Sequence, residues 1–341
     1  MTILEKPIQQ PAGGVAQVGD PAALVAELLE SAEGRRAISA ESPVFFDTHY
    51  CGMRYAEHRE RWLGLFETAI NAAKESHKKR KLLLLAPRDH GKTEAAVTLA
   101  VRTLCMDRNA RILWICESEG QAKKRIRRVK SLLSSDKVRK DWCENPELGF
   151  GPWKVTDEDK WSDKEVYVNR TTNAVDPSLE AVGAGGAITG GHFDLIICDD
   201  LEDDKTTYTA AVRKKTRDWF KGTVNPMLVR TGTMIVVGTR KHHDDLYGHF
   251  LLDPTFQVIE DKAIVQWPTK YTYTYEEIGG KQVATGVNIE GETKCLWHER
   301  PIDYLLLERL SVGPLLFSRE FQNEVQDDSA APFQWAWLQA A

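Results

Sequence analysis

The run KLLLLAPRDHGKT, residues 81–93, restricts this chain more than any other stretch: it reads as a buried strand, a short loop and the start of an apolar helix. Continuous rather than alternating apolar residues mark a strand covered on both faces. The loop ends in Gly91-Lys92-Thr93, so backbone N–H groups at a helix start are free to cradle phosphate oxygens. Lys92 then reaches the outer phosphates and the Thr93 hydroxyl serves as a ligand for Mg2+. The spacing matches G-x-x-x-x-G-K-[ST] except at Ala86, which stands where the first glycine belongs. Residues Pro87, Arg88, Asp89, His90, Gly91, Lys92 and Thr93 are therefore the candidate phosphate-binding set. Arg88, inside the loop, has two readings: a guanidinium that stabilises charge on a transferring phosphoryl group, or a brace for the loop.

Further short apolar runs at residues 111–116, 193–198 and 233–237 alternate with helical stretches, the pattern of a parallel sheet with crossover helices. The run FDLIICDD ends in Asp199 and Asp200, with Glu202 two residues on. A carboxylate at the tip of a buried strand beside the loop strand holds Mg2+, and the next one orients and deprotonates the attacking water. Asp199 is assigned to the metal and Asp200 to the base, with Glu202, of the same strand parity, as the substitute. A third strand ends in Gly238-Thr239 and should lie between the other two, where Thr239 senses the terminal phosphate. The following KHHDD reads as capping residues before a helix rather than a metal site, because no second ligand pair follows at metal-site spacing.

The segment over residues 166–190 predicts a hairpin inserted before the next core strand, and residues 267–296 an extended or hairpin segment followed by a helix at residues 302–308. A flexible terminus over residues 1–20, a short helix over 21–33 and one helix across 45–76 complete the reading. The expected division is an N-terminal segment 1–40, a core 41–265 and a linker or lid 266–341. The fold class is α/β, with a mainly parallel central sheet flanked by helices.

Composition narrows the function. With 45 Lys and Arg against 50 Asp and Glu, the net charge is −5, which excludes a uniformly basic nucleic-acid coat and leaves local patches. Two basic runs qualify, residues 77–81 (HKKRK) and 121–130 (QAKKRIRRVK). In the second, Ala122, Ile126, Val129 and Leu133 form an apolar stripe, so Lys123, Lys124, Arg127 and Arg128 are the candidate DNA contacts on the opposite face, a solvated surface being the alternative. Six scattered cysteines without a C-x-x-C pair predict reduced core thiols. No apolar run approaches the roughly 18 residues that span a bilayer, and the chain reads as cytosolic.

Taken together, APRDHGKT, GGHFDLIICDDLEDD, GTMIVVGTRKHHDDLYGHF and the late KCLWHERPIDYLLLERLSVGPLLFSREFQNEV resemble the ATPase domain of the large terminase subunit of tailed double-stranded DNA phages, over residues 45–328. The resemblance implies a P-loop NTPase of the ASCE type that uses ATP and Mg2+ to drive viral DNA into a procapsid. It implies double-stranded DNA, a portal protein and a small terminase subunit as partners, a homo-oligomeric ring, and a place in the host cytoplasm. Arg88 falls where the family carries its loop arginine, Asp199 and Asp200 where it carries its acidic pair, and Gly238-Thr239 where it carries its coupling motif. The family's C-terminal nuclease is not expected in a chain of this length. A helicase-like DNA-dependent ATPase shares the loop and acidic strand; a GTPase is disfavoured because no N-K-x-D motif occurs. Tyr55 and His58 are candidates for the base-binding side, and Arg102, Arg108, Arg139 and Arg213 for an arginine acting on a neighbouring subunit.

Overall fold

The computed structural model describes residues 21–147, 149–151, 161–186, 188 and 190–325; the expected flexible terminus over 1–20 and the segment after 325 lie outside the described residues. In chain order the elements are α1 (Pro21–Glu30), α2 (Ala32–Glu41), α3 (Pro43–His49), α4 (Glu57–Ser76), β1 (Arg80–Leu85), α5 (Lys92–Met106), β2 (Ile112–Cys116), α6 (Glu119–Leu133), α7 (Asp136–Trp142), β3 (Glu165–Val166), β4 (Leu179–Gly183) and β5 (Phe193–Asp199). There follow α8 (Ala210–Trp219), which runs through a π-helical turn at Phe220–Val224 into α9 (Asn225–Met227), then β6 (Leu228–Gly238), α10 (Leu246–Leu252), β7 (Phe256–Glu260), β8 (Ile264–Gln266), β9 (Lys270–Ile278), β10 (Lys281–Glu290), β11 (Lys294–Cys295), α11 (Ile302–Val312) and α12 (Pro314–Gln322).

Seven strands form the central sheet in the order β3-β4-β2-β5-β6-β1-β7. Every neighbouring pair is parallel except β3 with β4. Alternation along the strands feeds two cores: Leu82, Leu84, Trp114, Ile197 and Val237 pack on one face, and Leu83, Leu85, Ile115, Ile196 and Val236 on the other. Because both faces are covered, the strands read as unbroken apolar runs. Helix α5 is buried along most of its length, packed on the sheet and among α3, α4 and α6. A third apolar cluster, Ala263, Ile264, Leu305, Leu306, Phe317 and Phe321, is formed by the chain beyond β7, with Tyr271, Tyr273, Val287 and Ile289 of the β9–β10 hairpin against it. The expected extended segment is thus an antiparallel hairpin.

Several boundaries differ from the sequence reading. The helix expected over 21–33 is two helices, because Ser31 adopts an extended backbone and its side chain caps α2 through the Gly34 N–H. The helix expected over 45–76 is likewise two, separated by a loop in which Gly52 takes a φ of 71°. The helix expected over 302–308 extends to Val312 and is followed by α12. The hairpin expected over 166–190 is present as the short antiparallel pair β3–β4, in which β3 contributes only two residues, and β4 also pairs in parallel with β2 as a member of the central sheet. Its ladder to β2 is a non-local pairing that no short-range pattern reveals. The acidic strand β5 is not beside β1; β6 separates them, as the reading of Thr239 requires. All six cysteines are free, and all but Cys295 are buried.

Candidate nucleotide site

The parallel strands deliver the ends of β1, β2, β5 and β6 to one edge of the sheet, where crossover loops leave a crevice. A cavity of about 580 Å³ opens there, within the range of ligand sites. Its lining unites Arg88, Asp89, Gly91, Lys92 and Thr93 with Asp200, Glu202 and Thr239.

The loop between β1 and α5 is held from behind. Ala86 donates its N–H to the Gly238 carbonyl, 3.1 Å, and the Thr239 hydroxyl donates to the Ala86 carbonyl, 3.3 Å. The left-handed positions of the loop are Asp89, φ 59°, and Gly91, φ 85°; Ala86 is not among them, which explains why no glycine is needed there. A Cβ on Gly91 would sit 3.1 Å from Arg59 Cδ. His90 turns inward and donates through Nδ1 to the Arg88 carbonyl, 2.7 Å, while His58 donates through Nε2 to the His90 carbonyl, 2.9 Å. Burial lowers the His90 ring to about 4, so it is neutral. Pro87 and His90 are thus buried supports that do not line the cavity.

Lys92 opens α5 with its side chain largely buried and Nζ 3.5 Å from Asp200 Oδ2. One residue on, the Thr93 hydroxyl donates to Asp199 Oδ1 at 2.9 Å, and Arg125 of α6 donates from Nε to Asp199 Oδ2 at 2.9 Å. Asp199 is fully buried; burial and the adjacent Asp200 raise its carboxyl to about 6, against Arg125 and Lys92. Arg125 escaped the sequence reading. Its signal was present, since it stands three residues after Ala122 and four before Val129, on the inward side of α6.

The two candidate bases occupy different environments. Asp200 has a φ of 48°, its side chain is about one-third exposed, and it faces Lys92 across the cavity. Glu202 is 2% exposed. Its Oε2 accepts the Leu246 N–H at 2.6 Å, and Oε1 is buried without a hydrogen-bond partner. Burial above all raises Glu202 to about 8, so in the unliganded protein it is mostly protonated at neutral pH. A raised folded-state pKa contributes stability that is complete below the ordinary carboxyl range and is lost as pH rises through about 8. Replacing Glu202 by Gln removes that titration. The melting-temperature advantage of Glu202→Gln is therefore expected to grow from about pH 5 to about pH 8 and then level off; parallel melting profiles for the two proteins would contradict it.

Oxygen donors suitable for Mg2+ are present as the Thr93 hydroxyl and the Asp199 carboxylate. Among the described residues no group of three or more His, Cys, Asp or Glu side chains forms a metal cage. Mg2+ usually takes few protein ligands and completes its shell with water and phosphate, so the pair fits it. The His242 and His243 rings lie 4.0 Å apart at a tilt of 34°, His242 accepts the Asp244 N–H, and Asp245 caps α10 through the Gly248 N–H. They form the capping loop expected from the sequence.

Other candidates lie elsewhere. Tyr55 is exposed and bonded to Glu60, and His58 sits behind the loop; neither lines the cavity. Arg102 pairs with Glu67 and donates to the Ser39 and Ala40 carbonyls. Arg108 donates to Trp142, Arg139 to Pro146 and Glu147, and Arg213 to Thr207 and Asp244. All four make hydrogen bonds within the chain. On α6, Lys123 pairs with Glu119, Arg127 with Asp163 and Arg128 with Glu94, whereas Lys124 is exposed and lacks an ion pair among the described residues.

No family model and no curated protein matches this chain. Solved structures do. The large terminase ATPase domain of Thermus phage P74-26 aligns over 82% of this chain and 97% of its own, with 16% identity and a TM-score of 0.44. An arginine-to-alanine mutant of that domain aligns over the same shares with 17% identity and a TM-score of 0.44. The large terminase of HK97 bacteriophage aligns over 81% of this chain and 53% of its own, with 14% identity and a TM-score of 0.40. Each of these three structures to which the chain is similar is described as a phage large terminase or its ATPase domain.

Proposed function

We propose that this chain is a Mg-dependent ATPase and the motor domain of a phage DNA-packaging machine. The observation that carries the reading is the convergence on one cavity of Lys92, Thr93 and Asp200, with buried Asp199 bonded to Thr93 directly behind it, at the carboxyl edge of a parallel sheet. The α5 N-terminus and Lys92 bind the phosphate chain, and Arg88 offers a guanidinium without a carboxylate partner among the described residues. Thr93 and Asp199 would hold Mg2+, which would supply positive charge against the phosphate oxygens. Asp200 orients a water in line with the terminal phosphorus and takes its proton as the bond to the leaving phosphate breaks. Thr239, buried and bonded to the loop at Ala86, is placed to pass the loss of that phosphate to β6.

The packaging role supplies the partners: double-stranded DNA, a portal, a small terminase subunit and further copies of this chain in a ring, acting in the host cytoplasm. No helix among the described residues is long and apolar enough to cross a membrane. A phosphate backbone docking on α6 must displace Glu119, Asp163 and Glu94 from Lys123, Arg127 and Arg128. Lys78, Lys79 and Arg80 are exposed and without carboxylate partners among the described residues, so the basic run at residues 77–81 is the less costly surface. Steady-state ATP hydrolysis by the full chain, with and without double-stranded DNA and with Mg2+ removed, tests the proposal. Turnover that needs Mg2+ and rises with DNA is expected; ATP binding without turnover, with DNA present, would favour a nucleotide-gated binding protein.

A further inference from the structure

Two cations line the cavity without a carboxylate partner among the described residues, Arg88 from the loop and Arg300 from a distant part of the chain. The other three are engaged, Lys92 with Asp200, Arg125 with Asp199, and Lys241 with Glu320. Arg300 follows Trp297, His298 and Glu299 and immediately precedes the N-terminal end of α11, more than two hundred residues after the phosphate loop.

The segment is seated on the loop. The Trp297 ring lies 5.6 Å from His58 and 6.0 Å from His90, the two histidines that support the loop from behind. The Arg300 guanidinium carbon is 5.1 Å from the Trp297 ring centre and 5.2 Å from that of Tyr304. Two aromatic contacts offer a structural reason for an arginine, but a ring face attracts the charge without serving as a full hydrogen-bond acceptor, so the guanidinium N–H groups are left to be satisfied. Of these, Nη1 makes one 3.3 Å bond to the Glu299 carbonyl, and Nε is buried with no acceptor. A side chain used only as a brace would be expected to have these donors paired. Farther along, the Glu320 carbonyl accepts the Arg88 N–H at 2.8 Å, and the Glu320 carboxylate holds Lys241. The C-terminal elements therefore contact the loop at two places, and Arg300 is the cation they contribute to the cavity.

We propose that Arg300 is a binding residue of this cavity: it contacts the phosphate chain of the bound nucleotide and so completes the site from the C-terminal elements. The inference rests on the reading of the cavity as a nucleoside triphosphate site. The two rings hold the guanidinium in place in advance, so little side-chain freedom is lost when its N–H groups meet phosphate oxygens.

Calorimetric titration of the full chain with Mg-ATP separates the possibilities, using wild type, Lys92→Ala, Arg300→Gln and Arg300→Lys, with unliganded melting temperatures measured alongside. The expected result is a dissociation constant raised by about 10-fold or more in Arg300→Gln, a smaller rise in Arg300→Lys, and little change in melting. Wild-type affinity in Arg300→Gln overturns the proposal while leaving the ATP site intact. No binding by wild type, or equal binding by Lys92→Ala, overturns the nucleotide reading itself. Should Arg300→Gln melt early, rescue decides: below its melting temperature, millimolar guanidinium should restore ATP affinity to Arg300→Ala and do nothing for wild type. Absence of rescue then assigns Arg300 to a structural role.

Discussion

Lys92→Ala is expected to reduce ATP turnover by about 10³-fold, the scale on which single preorganised charge-stabilising groups act in water-excluded sites. Its amine is the cation that opens α5, and it sits 3.5 Å from Asp200 at the mouth of an acidic strand end. Truncation removes the charge that meets the phosphates and leaves Asp199 and Asp200 without one of their compensating cations. Both losses repel an anionic ligand, so binding of Mg-ATP should weaken together with turnover. Folding should be little affected, because alanine is the best helix former and the surviving partner, Asp200, is partly solvated. Parallel measurement of turnover, Mg-ATP affinity and melting temperature checks this, and wild-type turnover in the variant would remove the phosphate-loop reading altogether.

Asp200→Asn should lower turnover by about 10²- to 10⁴-fold while sparing ATP binding, the range for loss of a general base. Glu202→Gln should leave turnover close to wild type. The distinction follows from environment: Glu202 is already committed at one oxygen to the Leu246 N–H, and burial raises it to about 8. A mostly protonated carboxyl is a poor acceptor for the proton of an attacking water at neutral pH. Asp200 lies opposite Lys92 at the exposed side of the cavity, where a water can reach it. Single-turnover kinetics of the two variants decide between them; loss of the chemical step in Glu202→Gln alone would transfer the base to Glu202.

The pair Asp199–Asp200 was legible because a buried strand ends there in two carboxylates. Asp199, the last strand residue, turns into the protein toward Thr93 and Arg125, whereas Asp200, left-handed at a φ of 48°, faces the cavity. The same local logic found Thr239 and the capping role of Asp245. It failed for Arg125, where four neighbouring cations on α6 drew attention to the outer face, and for β4, whose edge-on pairing with β2 depends on residues far away in the chain.

What the sequence by itself determined is the local machinery: the strand, loop and helix of residues 81–93, the acidic strand tip and the alternation that buries β1, β5 and β6 on both faces. Those features arise from periodicity and backbone chemistry within a dozen residues, and a one-dimensional pattern carries them. Only the tertiary structure decided which cations are already neutralised, that Arg125 turns in to Asp199, and that Trp297, Arg300 and Glu320 close on the phosphate loop. Charge pairing and cavity lining depend on which surfaces meet after the chain has folded back over more than two hundred residues, and spacing along the sequence contains no record of that distance.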